Sequence, residues 1–448
     1  MKIAVEGKLS ELTEGELAVL LDRRPMDEAG LRERVSAIIE RVRDSGDTAL
    51  FEMARELDGV TLSSLEVPRE RWAAALASMD PEERAGWERA ARNIRAFHVA
   101  QIPPEVTIEV EPGVRLGRRS TPLGAVGVYA PGGRAAYPSS VLMGAVPARA
   151  VGVREVIVCS PPGPSGEPPS SVLAACEIAG ATRLFAVGGV GAIAALAYGT
   201  SSIRRVDAVV GPGNRWVTEA KRQVAGTLRV DSPAGPSEVL VVADGSVDPE
   251  RVAAELVAQA EHDPEAAVAV VCWDEGLLRA VRAALERLVE ETPRRDIVEA
   301  ALASRGGCVL AANRKAALDF AERYASEHLA LFTSDPTADL GTQTTAGTVF
   351  LGDSASVAFG DYLSGANHVL PTAGQARSFS GLSALDFLRF FTWQAIDPGG
   401  AAGLAPTVEG LARAEGLPAH AAAARARRSV ATRGVPRGGP SEPSEGVP

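Results

Sequence analysis

A chain of 448 residues has room for two to four domains of ordinary size, and 46% apolar with 23% charged residues describes a globular protein rather than a disordered one. Lys and Arg number 46 against 57 Asp and Glu, a formal net charge of −11 that argues against nucleic acid or an anionic membrane as partner. Four well-separated cysteines (Cys159, Cys176, Cys272, Cys308) with no CxxC pair exclude a disulfide scaffold and a cysteine zinc site.

The start, MKIAVEGKLSELTEGELAVLL, shows no charged segment leading into an apolar one, so a cytoplasmic protein without a signal peptide is expected. Residues 1 to about 100 read as helical, with apolar residues at the 3.6 period over Leu31 to Val42 and Asp47 to Leu57. From about 106 short β-branched runs take over: TIEVEPGVRLGRRSTP, AVGVYAPGG, REVIVCSPPG, TRLFAVGG and VDAVVGPGN. Most end in a Gly/Pro turn and lead into an Ala-rich helical segment, the alternation that builds a parallel sheet covered on both faces. The uncharged stretch Leu184 to Ile203 contains four glycines and reads as a strand running into a helix, not as a membrane span. A second α/β stretch follows: SEVLVVAD, a helix opened by Asp248-Pro249, AVAVVCWD, a helix from Leu277 to Glu290, GCVLAAN and TVFLGD. Leu382 to Arg428 reads as helical again.

The expected fold class is α/β, two Rossmann-like parallel-sheet domains with N-terminal and C-terminal helical extensions. The first domain would take residues 1–128 and 237–381, the second, cofactor-binding one 129–236. A helical arm would cover 382–433 and a disordered tail 434–448.

With only five histidines, each is informative. His98, in RAFHVAQ, has no acidic neighbour and reads as structural. Gln259 and His262 are spaced i, i+3 at the end of the helix opened by Asp248, so both side chains would leave one face, as a ligand pair or merely a polar last turn. Glu327-His328 is apt as an acid/base pair, a carboxylate to activate water beside an imidazole titrating near neutrality. A surface pair is the plainer reading, since neighbours on a regular strand face opposite ways. Asp361 and His368 share a Gly-rich, apolar-flanked loop, FGDYLSGANHVLPTAG, and Glu415 and His420 bracket the turn AEGLPAH. GPGN (211–214) sits between a strand and a helix, where backbone N–H groups can hold a phosphate. Gly189-x-Gly191-x-x-Ala194 is a loose dinucleotide-like pattern that close helix–strand packing explains equally well.

GPGNRWVTEAKRQV, DSPAGPSEVLVVAD, QAEHDP, SEHLALF, FGDYLSGANHVLPT, SGLSALDFL and AEGLPAH, in that order and across nearly the whole chain, closely resemble histidinol dehydrogenase. The resemblance implies a zinc- and NAD-dependent homodimer that oxidises L-histidinol through L-histidinaldehyde to L-histidine, with one Zn2+ per subunit. Position by position, it implies Gln259, His262, Asp361 and His420 as zinc ligands and Glu327 and His328 as the acid/base pair. Ser237, His368 and Glu415, with the metal ligands and His328, would contact substrate, and Tyr129, Gly191 and Asn214 would lie at the NAD site. It further implies that the C-terminal arm crosses to the partner subunit, so that Glu415 and His420 complete the other chain's site.

Two positions depart from the family pattern: Gly191 stands where a glutamine is common, and Ser326 where proline is usual. A rival reading is a paralogous zinc/NAD dehydrogenase of a small polyol such as sulfopropanediol. A cysteine thiohemiacetal route through Cys159 or Cys272, metal-assisted hydrolysis and an inactive scaffold are further alternatives.

Overall fold

The computed structural model describes residues 1–23, 30–132, 136–232 and 235–429; the tail expected at 434–448 lies outside them. Two compact units emerge, one of Met1–Ile102 and Pro122–Leu388, the other of Pro103–Thr121 and Arg389–Pro448. The strands are β1 (Val5–Lys8), β2 (Val106–Glu111), β3 (Val114–Pro122), β4 (Ala125–Tyr129), β5 (Glu155–Ser160), β6 (Arg183–Ala186) and β7 (Ala208–Val210). They continue with β8 (Arg229–Val230), β9 (Glu238–Ala243), β10 (Ala267–Cys272), β11 (Gly306–Leu310), β12 (His328–Phe332), β13 (Thr348–Leu351) and β14 (Leu388–Ile396).

The first unit holds two parallel sheets, one ordered β1-β11-β10-β9-β12-β13 and one ordered β6-β5-β4-β7-β8. Parallel sheets are covered on both faces, and their strands read as near-continuous apolar runs. EVLVVA of β9 accordingly buries all six residues. Val239, Val241 and Ala243 pack with Leu256 and Val281 on one face, Leu240 and Val242 with Phe320 and Tyr324 on the other.

The helices Leu31–Ser45 and Asp47–Leu57 share a core with the five-stranded sheet through Val35, Ile39, Leu50 and Leu196, rather than with the six-stranded one. Reading the first hundred residues as helical misses β1, which pairs with β11 and buries Val5 alone of its four residues, too little for an apolar pattern. Among the described residues no helix is long and apolar enough to cross a membrane; the Leu184 to Ile203 stretch is the end of β6 and the helix Gly189–Tyr198.

The second unit carries a three-stranded sheet ordered β14-β3-β2, with β2 and β3 antiparallel. β14 corrects the purely helical reading of Leu382 to Arg428: LRFFTWQAI is rich in the aromatic residues that favour strands. Two helices follow, Pro398–Ala414 and Pro418–Arg425.

Candidate active site

The helix Arg314–Tyr324 is closed by Ala325 in the left-handed region (φ 52°), and Glu327 lies in a bend before β12 opens at His328. The two neighbours are thus freed from strand alternation, and both reach the main chain of one residue, Glu238. The Glu238 N–H donates to Glu327 Oε2 at 2.7 Å, and His328 Nδ1 donates to Glu238 O at 3.0 Å. A carbonyl only accepts, so Nδ1 carries the ring proton and Nε2 of the neutral imidazole presents its lone pair. Gly347 N–H donates to Ser326 O at 2.9 Å and Thr348 N–H to Glu327 O at 2.9 Å. Glycine is required at 347, where a Cβ would stand 2.6 Å from Glu327 O.

Asp361, from the helix Val357–Tyr362, brings Oδ1 to 3.7 Å from His328 Nε2. His368 Nδ1 donates to Asp361 O at 3.0 Å. His328, Asp361, His368, Phe350 and Asn367 line a small cavity at the edge of the sheet where β12 and β13 begin.

Burial dominates the electrostatics here, because it penalises every charged form. It drives His328 down to about 3, aided by nearby His368 and His262, and His368 down to about 4, aided by His262. His262 falls by burial too. Asp361 rises to about 7, through burial first and the Glu255 charge second. Glu327 rises well above the usual carboxylate range by burial; the Glu238 N–H opposes the shift, and the Glu238 and Asp361 charges add to it.

Gln259 lies on the helix Pro249–Ala260, capped by the Asp248 side chain as expected, but His262 lies two residues past its end. The i, i+3 pair is therefore split between the last turn and the loop, with His262 N–H still donating to Gln259 O at 3.4 Å. Gln259 is 2% exposed and its side-chain Oε1 has no hydrogen-bond partner. An orphaned amide oxygen, neutral imidazoles and a carboxylate pushed towards its acid form suit a cation, which would satisfy the first and return the last to its charged state. Among the described residues no three His, Cys, Asp or Glu side chains are grouped to hold a metal. Of the four expected ligands, Gln259 is an amide and His420 belongs to the second unit, which leaves only two of those types. In that unit Glu415 closes the helix Pro398–Ala414 and His420 lies on Pro418–Arg425, both exposed.

The residues expected at a cofactor follow the strands of the five-stranded sheet. Tyr129 ends β4 and is 4% exposed, and its hydroxyl accepts the Gly189 N–H at 3.1 Å. Asn214 caps the helix Arg215–Val224, its Oδ1 accepting from Trp216 N–H at 3.0 Å and Val217 N–H at 3.2 Å. Gly211, at φ 118°, would place a Cβ 2.1 Å from Tyr129 O; its N–H donates to Asp231 Oδ2 at 2.7 Å, and Lys221 Nζ pairs with Asp231 Oδ1 at 2.6 Å. A Cβ on Gly191 would meet Met53 Sδ at 3.1 Å and Leu50 Cδ2 at 3.2 Å, so this position faces the helix Asp47–Leu57. Ser237, partly buried, leads directly into Glu238.

All four cysteines are buried, and burial raises Cys159 to about 12 and Cys272 to about 11. A thiohemiacetal needs a thiolate, so that route is disfavoured. His98 is structural as read: it is fully buried, with Nδ1 donating to Ile94 O at 2.8 Å. Glu238 and the Arg23 paired with it were missed, although a charged residue heading an otherwise apolar buried strand was a usable signal.

The profile of the family described as histidinol dehydrogenase matches residues 21–428. The chain belongs to the histidinol dehydrogenase family. It is 45% identical to the histidinol dehydrogenase of Methanosarcina mazei over 95% of this chain and 98% of that one. Identity to the histidinol dehydrogenase of Natronomonas pharaonis is 50%, over 87% and 92% of the two chains. The crystal structure of histidinol dehydrogenase from Elizabethkingia anophelis superposes with a TM-score of 0.90 at 34% identity, covering 95% of this chain and 98% of that one.

Proposed function

We propose that this protein oxidises L-histidinol through L-histidinaldehyde to L-histidine, the last two steps of histidine biosynthesis, as a zinc-dependent, NAD-linked enzyme of the cytoplasm. In balance, one amino alcohol, one water and two NAD+ give one carboxylate, two NADH and three protons. The observation that carries the reading is the joint hold of the Glu238 main chain on Glu327 and His328, with Asp361 facing the open ring nitrogen, in a chain of this family.

His328 takes the alcohol proton at Nε2, which burial keeps unprotonated and the bond from Nδ1 keeps aimed. Glu327 activates the water that the aldehyde must gain before a second hydride departs; burial favours its acid form, and the Glu238 N–H opposes that shift and helps keep a carboxylate able to accept the proton. Gln259, His262 and Asp361, with His420 of the partner subunit, would hold the zinc. Bound there, zinc would grip the amine and imidazole of the substrate, and NAD would accept both hydrides. Ser237, His368 and the partner subunit's Glu415 would orient the substrate. Tyr129, Asn214 and the backbone near Gly191 would border NAD.

The exposure of Glu415 and His420 supports the reading that the arm serves another copy, in a homodimer with shared sites. The domain reading is carried with it, the five-stranded sheet as the cofactor-binding part and the 382–433 arm as the exchanged one. The test is NADH yield per histidinol with purified, zinc-loaded protein: two supports the full oxidation. No turnover of histidinol, with turnover of sulfopropanediol, would replace the reading by the paralogue.

A further inference from the structure

Resting on the dehydrogenase reading above, we infer that Arg23 and Glu238 are positioning residues for the acid/base pair, a buried ion pair that aims the main chain of residue 238, which holds Glu327 and His328. The guanidinium forks onto the carboxylate, Nε to Oε1 and Nη2 to Oε2, each at 3.0 Å. Arg23 Nη1 donates to Leu20 O at 2.8 Å and Nη2 to Tyr324 O at 2.8 Å, while the group lies 3.6 Å over the Tyr324 ring. Ala373 N–H donates to Glu238 Oε1 at 2.7 Å. Both charged residues are 2% exposed. One carboxylate thereby ties together chain positions 23, 238, 324 and 373, and position 324 leads directly to Glu327.

Fold stability alone does not explain the pair. A buried ion pair typically adds little over apolar side chains of similar volume, although removing one partner strands a charge. The remainder of β9, VLVVA, shows that this strand accepts apolar side chains throughout. The carboxylate and the main-chain N–H and C=O of residue 238 share one Cα, so anchoring the former holds that Cα, and a shift of the Cα would carry the N–H and C=O that grip Glu327 and His328. Displacing a reacting group by about 1 Å is enough to lower a rate on the order of 10²-fold.

The test uses the full-length, zinc-loaded protein with the double variant Arg23→Met/Glu238→Leu and the conservative Arg23→Lys. Thermal midpoint, kcat and KM for histidinol are measured, together with long-range 1H–15N spectra of His328, tractable with five histidines in the chain. The double variant leaves Leu20 O, Tyr324 O and Ala373 N–H without these partners, so it is expected to melt below the wild type, keep its KM, and lose kcat by roughly 10- to 100-fold. Its His328 is expected to show both neutral tautomers, and Arg23→Lys to recover part of the kcat. A double variant with the wild-type kcat and a single His328 tautomer would overturn the proposal. Should the double variant not fold, Glu238→Gln carries the same readouts, because its amide oxygen still accepts from Ala373; unchanged kcat and tautomer there overturn it equally. If the wild type gives no NADH from histidinol, the dehydrogenase reading falls, and the tautomer comparison still decides whether the pair positions the ring.

Discussion

His328 Nε2 and Asp361 Oδ1 stand 3.7 Å apart, while Nδ1 of the same ring is anchored 3.0 Å from Glu238 O. The imidazole is fixed on one side and open on the other, in front of a carboxylate that burial pushes towards neutrality. Asp361→Asn or His262→Asn is therefore expected to lower zinc content and activity together, as read by metal analysis alongside NADH formation. A fully active variant without metal would contradict the ligand assignment.

Glu327→Gln keeps an oxygen able to accept from the Glu238 N–H but loses the base. Oxidation of histidinaldehyde should slow on the order of 10²- to 10⁴-fold with zinc content unchanged. Single-turnover assays starting from the aldehyde check this; equal rates would remove Glu327 from the water-activation step.

Gly347→Ala drives a methyl group to 2.6 Å from Glu327 O. The backbone must shift, at about 1–3 kcal/mol of stability, and Glu327 must move with it. Thermal melts and kcat should both fall, whereas Gly352→Leu would probe strain at a turn remote from this contact, where φ is 78° and no atom lies within 4 Å. A Gly347→Ala variant as stable and active as the wild type refutes the close approach.

His98 gives a pH prediction independent of catalysis. Its Nδ1–H bonds to Ile94 O and its Nε2 faces Asn367 Nδ2 at 3.4 Å, a contact that suits the neutral ring, while the Leu382 backbone and the Asp386 charge favour the charged one without outweighing burial. Burial lowers its pKa. The unfolded chain binds a proton near pH 6.5 and the folded chain only below that, so this contribution is complete above about 6.5 and is lost as pH falls beneath it. The loss approaches about 1.4 kcal/mol per pH unit. Denaturant melts at a series of pH values should show a shallower slope for His98→Gln; identical slopes would rule the group out.

Truncation before Leu411 deletes Glu415 and His420 and should abolish activity. Mixing that truncation with a His328→Ala chain should restore part of it, because one site of the mixed dimer then has an intact core and an intact arm. Activity that stays at zero after dissociation and reassociation would count against shared sites.

Much of the site was legible because its chemistry is compact in the sequence. Glu327 and His328 are adjacent, Asp361 and His368 lie only seven residues apart, and a helix start at Asp248 needs only local capping. What escaped depends on partners far along the chain. β1 is recognisable only through its pairing with β11, near the other end of the first unit's chain. The Arg23–Glu238 pair spans 215 residues, so neither charge marks the other. The split of Gln259 from His262 turns on where a helix frays, which periodicity alone does not locate. The packing of Gly191 against Leu50 and Met53 required knowing which sheet the N-terminal helices cover.

Holding Glu327 and His328 by the main-chain N–H and C=O of one residue has an evolutionary consequence. Every amino acid but proline offers that same donor and acceptor, so drift at codon 238 leaves the two contacts chemically available. Mutation there redirects the grip without erasing it, which gives the site a graded rather than all-or-none response to genetic change.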